Sequence, residues 1–197
     1  ASWRRRVWQY TIRNWGWTWG KRVIRINRKD LLIPCWKVND KISKISINDL
    51  LSKNIKAVIL DVDGTLISGE NPILSNDIKN WIHNSKKYFH TYLFSNNPSR
   101  YRINLIAKQL DLGFTCSGGK PCKSKLKKII NKIPYSSHEI AIIGDRIFTD
   151  IIVGNRLGMY TILVDSVNYY GNKIERNNFQ SIERYFAKII SGDALWQ

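Results

Sequence analysis

Two carboxylates stand one residue apart in the sequence, at the end of an apolar run. Asp61 and Asp63 follow residues 57–60, whose apolar side chains predict a buried strand. Two acids at this spacing repel each other when both are ionised, so the pair indicates a bound cation or a shared proton. Mg²⁺, which prefers oxygen ligands, fits best. The plainer interpretation is a solvated strand end at which the acids cap a turn.

Further strands and helices alternate along the chain. Strands are predicted at residues 57–60, 89–94, 114–117, 140–143 and 159–164. Helices are predicted at residues 45–51, at residues 75–86, from Pro98 to a stop at Gly113, from Pro121 onward, and at residues 150–157. The alternation predicts an α/β fold, a three-layer doubly wound parallel sheet with right-handed crossovers.

This topology brings polar residues from separate strands to one edge of the sheet. Asp61, Ser95, Lys120 and Asp145 each follow a predicted strand, and Asp150 lies a few residues beyond. Ligands of open α/β sheets bind at the carboxyl ends of strands, so we expect these side chains to lie together. The alternatives are a helix-capping role for Ser95 and a solvated position for Lys120 in its Lys-rich helix.

The same motifs, in the same order, resemble those of the haloacid dehalogenase superfamily. They are DxDGT at residues 61–65, a serine at Ser95, a lysine at Lys120 and GDxxxxD at residues 144–150. More narrowly, SNN at residues 95–97, KP at residues 120–121 and the stretch 144–164 are similar to the YqeG subfamily, which is related to mitochondrial and plastid phosphatidylglycerophosphate phosphatases. The resemblance covers about residues 31–167. It implies a haloacid dehalogenase-like fold and Mg²⁺-dependent hydrolysis of a phosphomonoester.

The resemblance also implies a role for each acid. Asp61 would attack phosphorus and form an aspartyl-phosphate, while Asp63 would protonate the leaving oxygen and then activate water. Mg²⁺ would be held by Asp61, the main-chain carbonyl of Asp63 and Asp145, with Asp150 orienting the metal shell.

The phosphoryl group needs partners as well. By the same resemblance, Ser95 and Lys120 would hold its oxygens. A guanidinium fork matches phosphate geometry, which makes Arg146 a candidate for a second phosphate of the substrate. The candidate substrate-binding residues are Thr65, Asn96, Asn97 and Arg146.

The spacing of the motifs leaves no room for an added domain over the site. Many relatives place a cap domain either just after the first motif or between the second and third, and here neither gap is long enough. We therefore expect a capless, open site. Such a site suits a phosphate carried by something large, such as a lipid bilayer or a polymer.

Charge is unevenly distributed over the 197 residues. The net charge is +17, and residues 1–29 contain nine Lys or Arg and no acid, interleaved with five Trp. We predict a basic Trp-rich arm (1–30), a phosphatase domain (31–190) and a short tail (191–197). The arm fits an anionic membrane surface, while nucleic acid and a non-working leader remain alternatives.

These observations support three functional hypotheses. The first is a Mg²⁺-dependent phosphatase of phosphatidylglycerophosphate, cytoplasmic or organelle-internal and peripherally bound to anionic phospholipid. No apolar run in the sequence is long enough for a spanning helix, and three scattered cysteines fit a reducing compartment. The second hypothesis is a nucleic-acid-binding protein or polynucleotide-end phosphatase, and the third is a catalytically silent scaffold.

Overall fold

The computed structural model describes residues 28–68, 72–168 and 178–191. Within these ranges the strands are β1 (Trp36–Lys37), β2 (Ala57–Leu60), β3 (His90–Phe94), β4 (Gly113–Thr115), β5 (Ile140–Gly144) and β6 (Tyr160–Leu163). The α-helices are α1 (Ile47–Ser52), α2 (Asn76–Ser85), α3 (Arg100–Leu110), α4 (Ser124–Ile130), α5 (Ile152–Leu157) and α6 (Asn178–Ser191). Shorter elements are the 3₁₀ helices Arg28–Leu32, Ile42–Lys44 and Ser137–Glu139, and a π-helical turn at Ile147–Ile151.

The strands form one parallel sheet in the order β1-β6-β5-β2-β3-β4. The chain runs outward from β2 through β3 to β4 and then crosses to the other side of β2 to form β5. The direction of winding therefore reverses between β2 and β5, and we call this place the switch point. Open α/β sheets bind ligands at such a point. The predicted doubly wound parallel sheet is confirmed.

The central strand β2 is buried on both faces. Val58 and Leu60 belong to an apolar cluster that includes buried residues of α2 and α3. Ala57 and Ile59 belong to a second cluster, which includes residues of α4 and α5. Because side chains alternate along a strand, these two clusters lie on opposite faces of the sheet. The predicted three layers are confirmed.

The structure corrects the predicted ends of α3. The helix begins two residues after Pro98, because the Ser99 side chain caps it by accepting a hydrogen bond from Arg102 N at 3.3 Å. Its last residue is Leu110, and the C-cap is Asp111, which has a left-handed φ of 52°. Gly113 is therefore already in β4. A short polar residue at the left-handed position replaces the glycine stop that the sequence indicated.

Two other predicted helices also begin elsewhere. The helix expected from Pro121 begins at Ser124. The helix expected over 150–157 is preceded by the π-helical turn, so that the helical stretch begins at Ile147. Its predicted end at Gly158 is confirmed, with a φ of 69°. A π-helical turn gives no periodic signal in sequence because it is only one turn long.

Helix α6 has polar residues on its buried side. The buried positions are Gln180, Glu183, Arg184, Ala187 and Ser191. Ala187 belongs to a small apolar cluster with Leu32 of the first 3₁₀ helix and with Leu163 of β6. The other buried positions of α6 carry hydrogen-bonding side chains, which indicates that the helix covers a polar region of the sheet edge.

No helix in the described ranges is long and apolar enough to cross a membrane. The predicted basic arm and the predicted tail lie almost wholly outside the described residues. The membrane-binding role of the arm therefore stays a prediction.

The core packing can be tested at α2. Ile82→Ala should lower the free energy of unfolding by about 2–5 kcal/mol, because Ile82 is fully buried and its truncation leaves a cavity. Ile73→Ala is the matched control, since that side chain is 56% exposed, and it should change stability by less than about 0.5 kcal/mol. Urea unfolding measures both values. Equal losses for the two variants would contradict the assignment of Ile82 to the core.

Candidate active site

Three buried carboxylates meet at the switch point. Asp61 follows β2, and its N–H donates to the carbonyl of Ile143 in β5 at 2.9 Å. Asp145 follows β5, and Asp150 lies in the π-helical turn beyond it. The three residues are 7%, 5% and 1% exposed, and one ligand oxygen of each lies within 4.8 Å of the others. The pairing of the two strands thus brings distant parts of the sequence to one place.

Two glycines leave the space that these carboxylates occupy. Gly64 has a φ of 89°, and a Cβ there would stand 2.4 Å from Oδ2 of Asp145. A Cβ at Gly144 would stand 2.3 Å from Cγ of Asp150. A larger residue at either position would displace a carboxylate.

Lys120 places a positive charge inside the cluster. Its Nζ contacts Oδ1 of Asp61, lies 2.6 Å from Oδ1 of Asp150 and donates to the carbonyl of Phe94 at 3.1 Å. The residue is only 6% exposed. Within the described residues, no donor is aligned for a hydrogen bond to Asp150 Oδ1, although the ammonium is close to it. The ion pair with Lys120 therefore holds this oxygen inside the cluster.

Three acids around one ammonium group leave an excess of negative charge. Burial raises the pKa of Asp61 to about 8, although Lys120 opposes this shift. Burial, reinforced by Asp150, raises the pKa of Asp145 to about 6. Burial alone would lower the pKa of Lys120, but Asp150 and Asp61 raise it, so Lys120 stays protonated.

These features fit a divalent metal. Hard cations prefer carboxylate oxygens, and a cation would offset the repulsion that disfavours ionisation of Asp61 and Asp145. The residues that would hold it are Asp61, Asp145 and Asp150, which the sequence predicted as metal residues. The carboxylate of Asp63 is not part of this cluster, and the predicted role of its main-chain carbonyl in metal binding stays a prediction.

Hydrogen bonds fix the orientation of Asp145. Its Oδ2 accepts from Ser166 Oγ at 2.6 Å and from Gln180 Nε2 at 2.6 Å. The hydroxyl of Thr65 lies 3.3 Å from Asp61 Oδ2 and 3.4 Å from Asp145 Oδ1. Thr65, predicted to bind substrate, is fully buried, and its hydroxyl contacts these two carboxylates. The structure therefore gives it a positioning role.

Asp63 lies in a different and more open environment. Its carboxylate accepts from Ser95 Oγ at 3.0 Å and from Asn97 Nδ2 at 3.5 Å, and it contacts Arg102 Nη1. Ser95 Oγ in turn accepts from Asn97 N at 2.9 Å. The Asp63 side chain is 38% exposed, whereas that of Asp61 is 9% exposed. Asp63 can therefore exchange protons with water more easily than Asp61.

Two predicted substrate contacts are engaged with protein groups. Asn96 accepts from Lys120 N at 2.7 Å and donates to Lys120 O at 3.0 Å, so it holds the backbone of Lys120 in place. Arg146 donates from Nε and Nη2 to Oε1 of Glu183, at 3.2 and 2.8 Å. Contact between Arg146 and a second phosphate stays a prediction.

Sequence reasoning missed residues that contact the predicted site residues, among them Arg102, Ser166, Gln180 and Glu183. Arg102 had a usable signal, because it lies on the first turn of the helix that follows Ser95. The other three come from the last described segments, where no motif indicates their role.

Metal binding should appear as a rise in Tm that depends on pH. At about pH 5.5 Asp61 and Asp145 largely hold their protons, since both pKa values lie above the ordinary 3.8, and a metal must displace those protons. Millimolar Mg²⁺ should therefore raise Tm by at least about 3 °C at pH 8 and by clearly less at pH 5.5. Differential scanning fluorimetry measures both shifts.

Asp145→Asn should abolish most of the rise in Tm that Mg²⁺ causes at pH 8. Asp49→Asn, at an exposed position in α1, should preserve this rise. An equal Mg²⁺ shift in wild type and Asp145→Asn would contradict a metal site at this cluster.

Comparison with known proteins shows which family this chain resembles. The HAD-hydrolase-like family model matches residues 117–183. "Probable phosphatase YqeG" of Bacillus subtilis is 30% identical over 156 residues, which span 78% of this chain and 90% of that protein. The mitochondrial phosphatidylglycerophosphatase GEP4 of Saccharomyces cerevisiae is 27% identical over 148 residues, spanning 66% and 80% of the two chains.

A solved structure of an uncharacterized protein from Listeria monocytogenes is 17% identical, with a TM-score of 0.49, and covers 63% of this chain and 84% of that one. The assignment rests instead on the B. subtilis relative, of which 90% is matched, and on the motifs gathered at the switch point. The chain belongs to the YqeG-like family of haloacid dehalogenase-type phosphatases.

Proposed function

We propose that this chain removes the terminal phosphate of phosphatidylglycerophosphate, through a covalent phosphate on Asp61. The observation that carries the chemistry is the position of Asp61. It is buried in contact with Lys120, in a carboxylate cluster that could hold a metal ion, and it stands two residues before a more exposed acid. The substrate is suggested by the yeast relative, which is named a phosphatidylglycerophosphatase.

The first half of the reaction forms a bond between Asp61 and phosphorus. An Asp61 oxygen attacks, the bond from phosphorus to the ester oxygen breaks, and Asp63 gives its proton to the leaving alkoxide. Lys120 stays protonated, and its positive charge balances the negative charge that develops on the phosphoryl oxygens. A bound Mg²⁺ would supply further charge compensation and favour the ionised form of Asp61.

In the second half, water splits the aspartyl-phosphate. Asp63 takes a proton from the water, whose oxygen bonds to phosphorus, while the bond from phosphorus to Asp61 breaks and releases orthophosphate. Ser95, Asn97 and Arg102 contact the carboxylate of Asp63 and fix its orientation, two positions along the chain from the nucleophile. Its partial exposure lets it regain or lose a proton between the two halves.

We expect the capless site to favour a large substrate. The segment from Asn97 to Lys120 consists of α3, β4 and their connections, and it contains no added domain. A phosphate must nevertheless reach Asp61, which is only 7% exposed. A phosphomonoester on a glycerol spacer stands farther from a bilayer than one attached directly to a diacylglycerol. We therefore expect the spacer to aid catalysis.

The nucleophile is tested by Asp61→Asn. The variant keeps the shape of the side chain but loses the attacking carboxylate, so hydrolysis of a water-soluble phosphomonoester should fall by at least about a thousandfold. Circular dichroism should show an unchanged fold. Asp49→Asn is the matched control and should keep wild-type turnover. Activity of Asp61→Asn above a tenth of wild type would rule out covalent catalysis at this residue.

The substrate is tested by comparing kcat/KM in identical anionic vesicles. Phosphatidylglycerophosphate should exceed phosphatidic acid by about tenfold or more, because its phosphate can reach the recessed Asp61 and its second, diester phosphate adds attraction to a basic chain. Equal kcat/KM values for the two lipids would contradict the proposal that phosphatidylglycerophosphate is the substrate. Faster hydrolysis of a 5′-phosphorylated oligonucleotide would favour the polynucleotide alternative.

A further inference from the structure

Helix α6 has an apolar face that points away from the rest of the protein. Five large side chains at helical spacing lie on it, and they are 43–63% exposed. This outer face of α6 consists of Ile182, Tyr185, Phe186, Ile189 and Ile190. The rings of Tyr185 and Phe186 pack edge to face, with centroids 6.0 Å apart. A contiguous apolar patch of this kind marks an interaction surface.

The orientation of α6 is fixed by its inner face. Gln180 donates to the Asp145 carboxylate, Glu183 accepts from Arg146 and from the Ile147 N–H, and Arg184 donates to Asp165 at 2.8 Å. A surface helix normally buries its apolar stripe, and α6 does the opposite. Turning the helix over would leave these buried polar groups without partners. The outer face therefore stays exposed until a partner covers it.

We infer that the outer face of α6 docks on an anionic lipid bilayer. The exposed side of the helix presents no acidic residue, because its one acid, Glu183, is buried and paired with Arg146. Lys188 is exposed beside the apolar stripe. Apolar and aromatic residues next to a cation, on a chain of net charge +17, have the chemistry that an anionic membrane interface binds.

The position of the N-terminal segment also favours a bilayer. The 3₁₀ helix Arg28–Leu32 packs against α6, and Leu32 shares a cluster with Ala187. The preceding residues, 1–27, therefore enter the described fold next to α6. They contain five Trp, seven Lys or Arg and no acid. A second segment with the composition of an interfacial anchor is therefore joined to the described fold at a helix that packs against α6.

Docking through this face would hold the catalytic cluster close to lipid headgroups, an inference that rests on the proposed function. Gln180 contacts Asp145 from the inner side of α6, and the outer face lies across the same helix. A helix with its side chains is about 10–12 Å wide, which sets the scale of the distance from the headgroup layer to Asp145. A phosphate raised on a glycerol spacer is then within reach of the site.

The experiment compares wild type with the triple variant Ile182→Ser, Phe186→Ser and Ile189→Ser in the full chain. Sedimentation with vesicles of phosphatidylglycerol and phosphatidylcholine measures the partition coefficient, at low salt and at about 0.5 M salt, where electrostatic attraction is screened. The triple variant should bind at least about tenfold more weakly, most clearly at high salt. Tyr88→Ser, 57% exposed beside β3, is the matched control and should bind like wild type.

Activity measurements separate this inference from the proposed function. The triple variant should hydrolyse water-soluble p-nitrophenyl phosphate within about twofold of wild type, yet lose about tenfold or more in kcat/KM on vesicle-borne phosphatidylglycerophosphate. Wild-type binding to vesicles without lipid hydrolysis would overturn the proposed substrate and leave docking intact. Unchanged or tighter vesicle binding by the triple variant would overturn docking, as would loss of a dimer with no change in vesicle binding.

Discussion

The burial of three carboxylates around one ammonium group is the constraint on which the rest of the site depends. Taking an ion out of water costs several kcal/mol unless other groups compensate it. The structure supplies Lys120 for Asp61 and Asp150, and Ser166 with Gln180 for Asp145. The remaining negative charge raises the pKa values of Asp61 and Asp145. A divalent cation is the partner that would remove this imbalance, so the same residues that are costly to bury could hold a metal ion.

The reversal of winding between β2 and β5 gives two neighbouring acids different environments. Asp61 continues the line of β2 into the buried cluster, while Asp63 turns toward Ser95 after β3 and toward Arg102 in α3. One acid is shielded from water beside a cation, and the other is partly exposed. Acids in such contrasting surroundings suit different tasks, here nucleophilic attack and proton transfer. The fold thus supports both halves of the proposed reaction with residues only two positions apart.

Much of this arrangement could be predicted because strand ends are visible in sequence. Apolar runs that stop at polar residues located Asp61, Ser95 and Asp145, and parallel pairing brings them together. The short strand β1 gave no usable period, since it has two residues. Helix α6 was not predicted, although its apolar residues recur at helical spacing; these residues face outward, whereas its polar residues reach the site. Contacts such as Gln180 with Asp145 depend on tertiary packing across 35 positions, which no local pattern encodes.

The central claim is that a phosphoryl group resides on Asp61 during turnover. A single-turnover reaction with a water-soluble phosphomonoester and Mg²⁺, quenched in acid within milliseconds and mapped by peptide mass spectrometry, tests it directly. We predict a phosphorylated peptide containing Asp61, which accumulates further in Asp63→Asn once it has formed, and overall retention of configuration at a chiral phosphate. Complete consumption of substrate with no phosphorylated Asp61, together with inversion at phosphorus, would contradict the account.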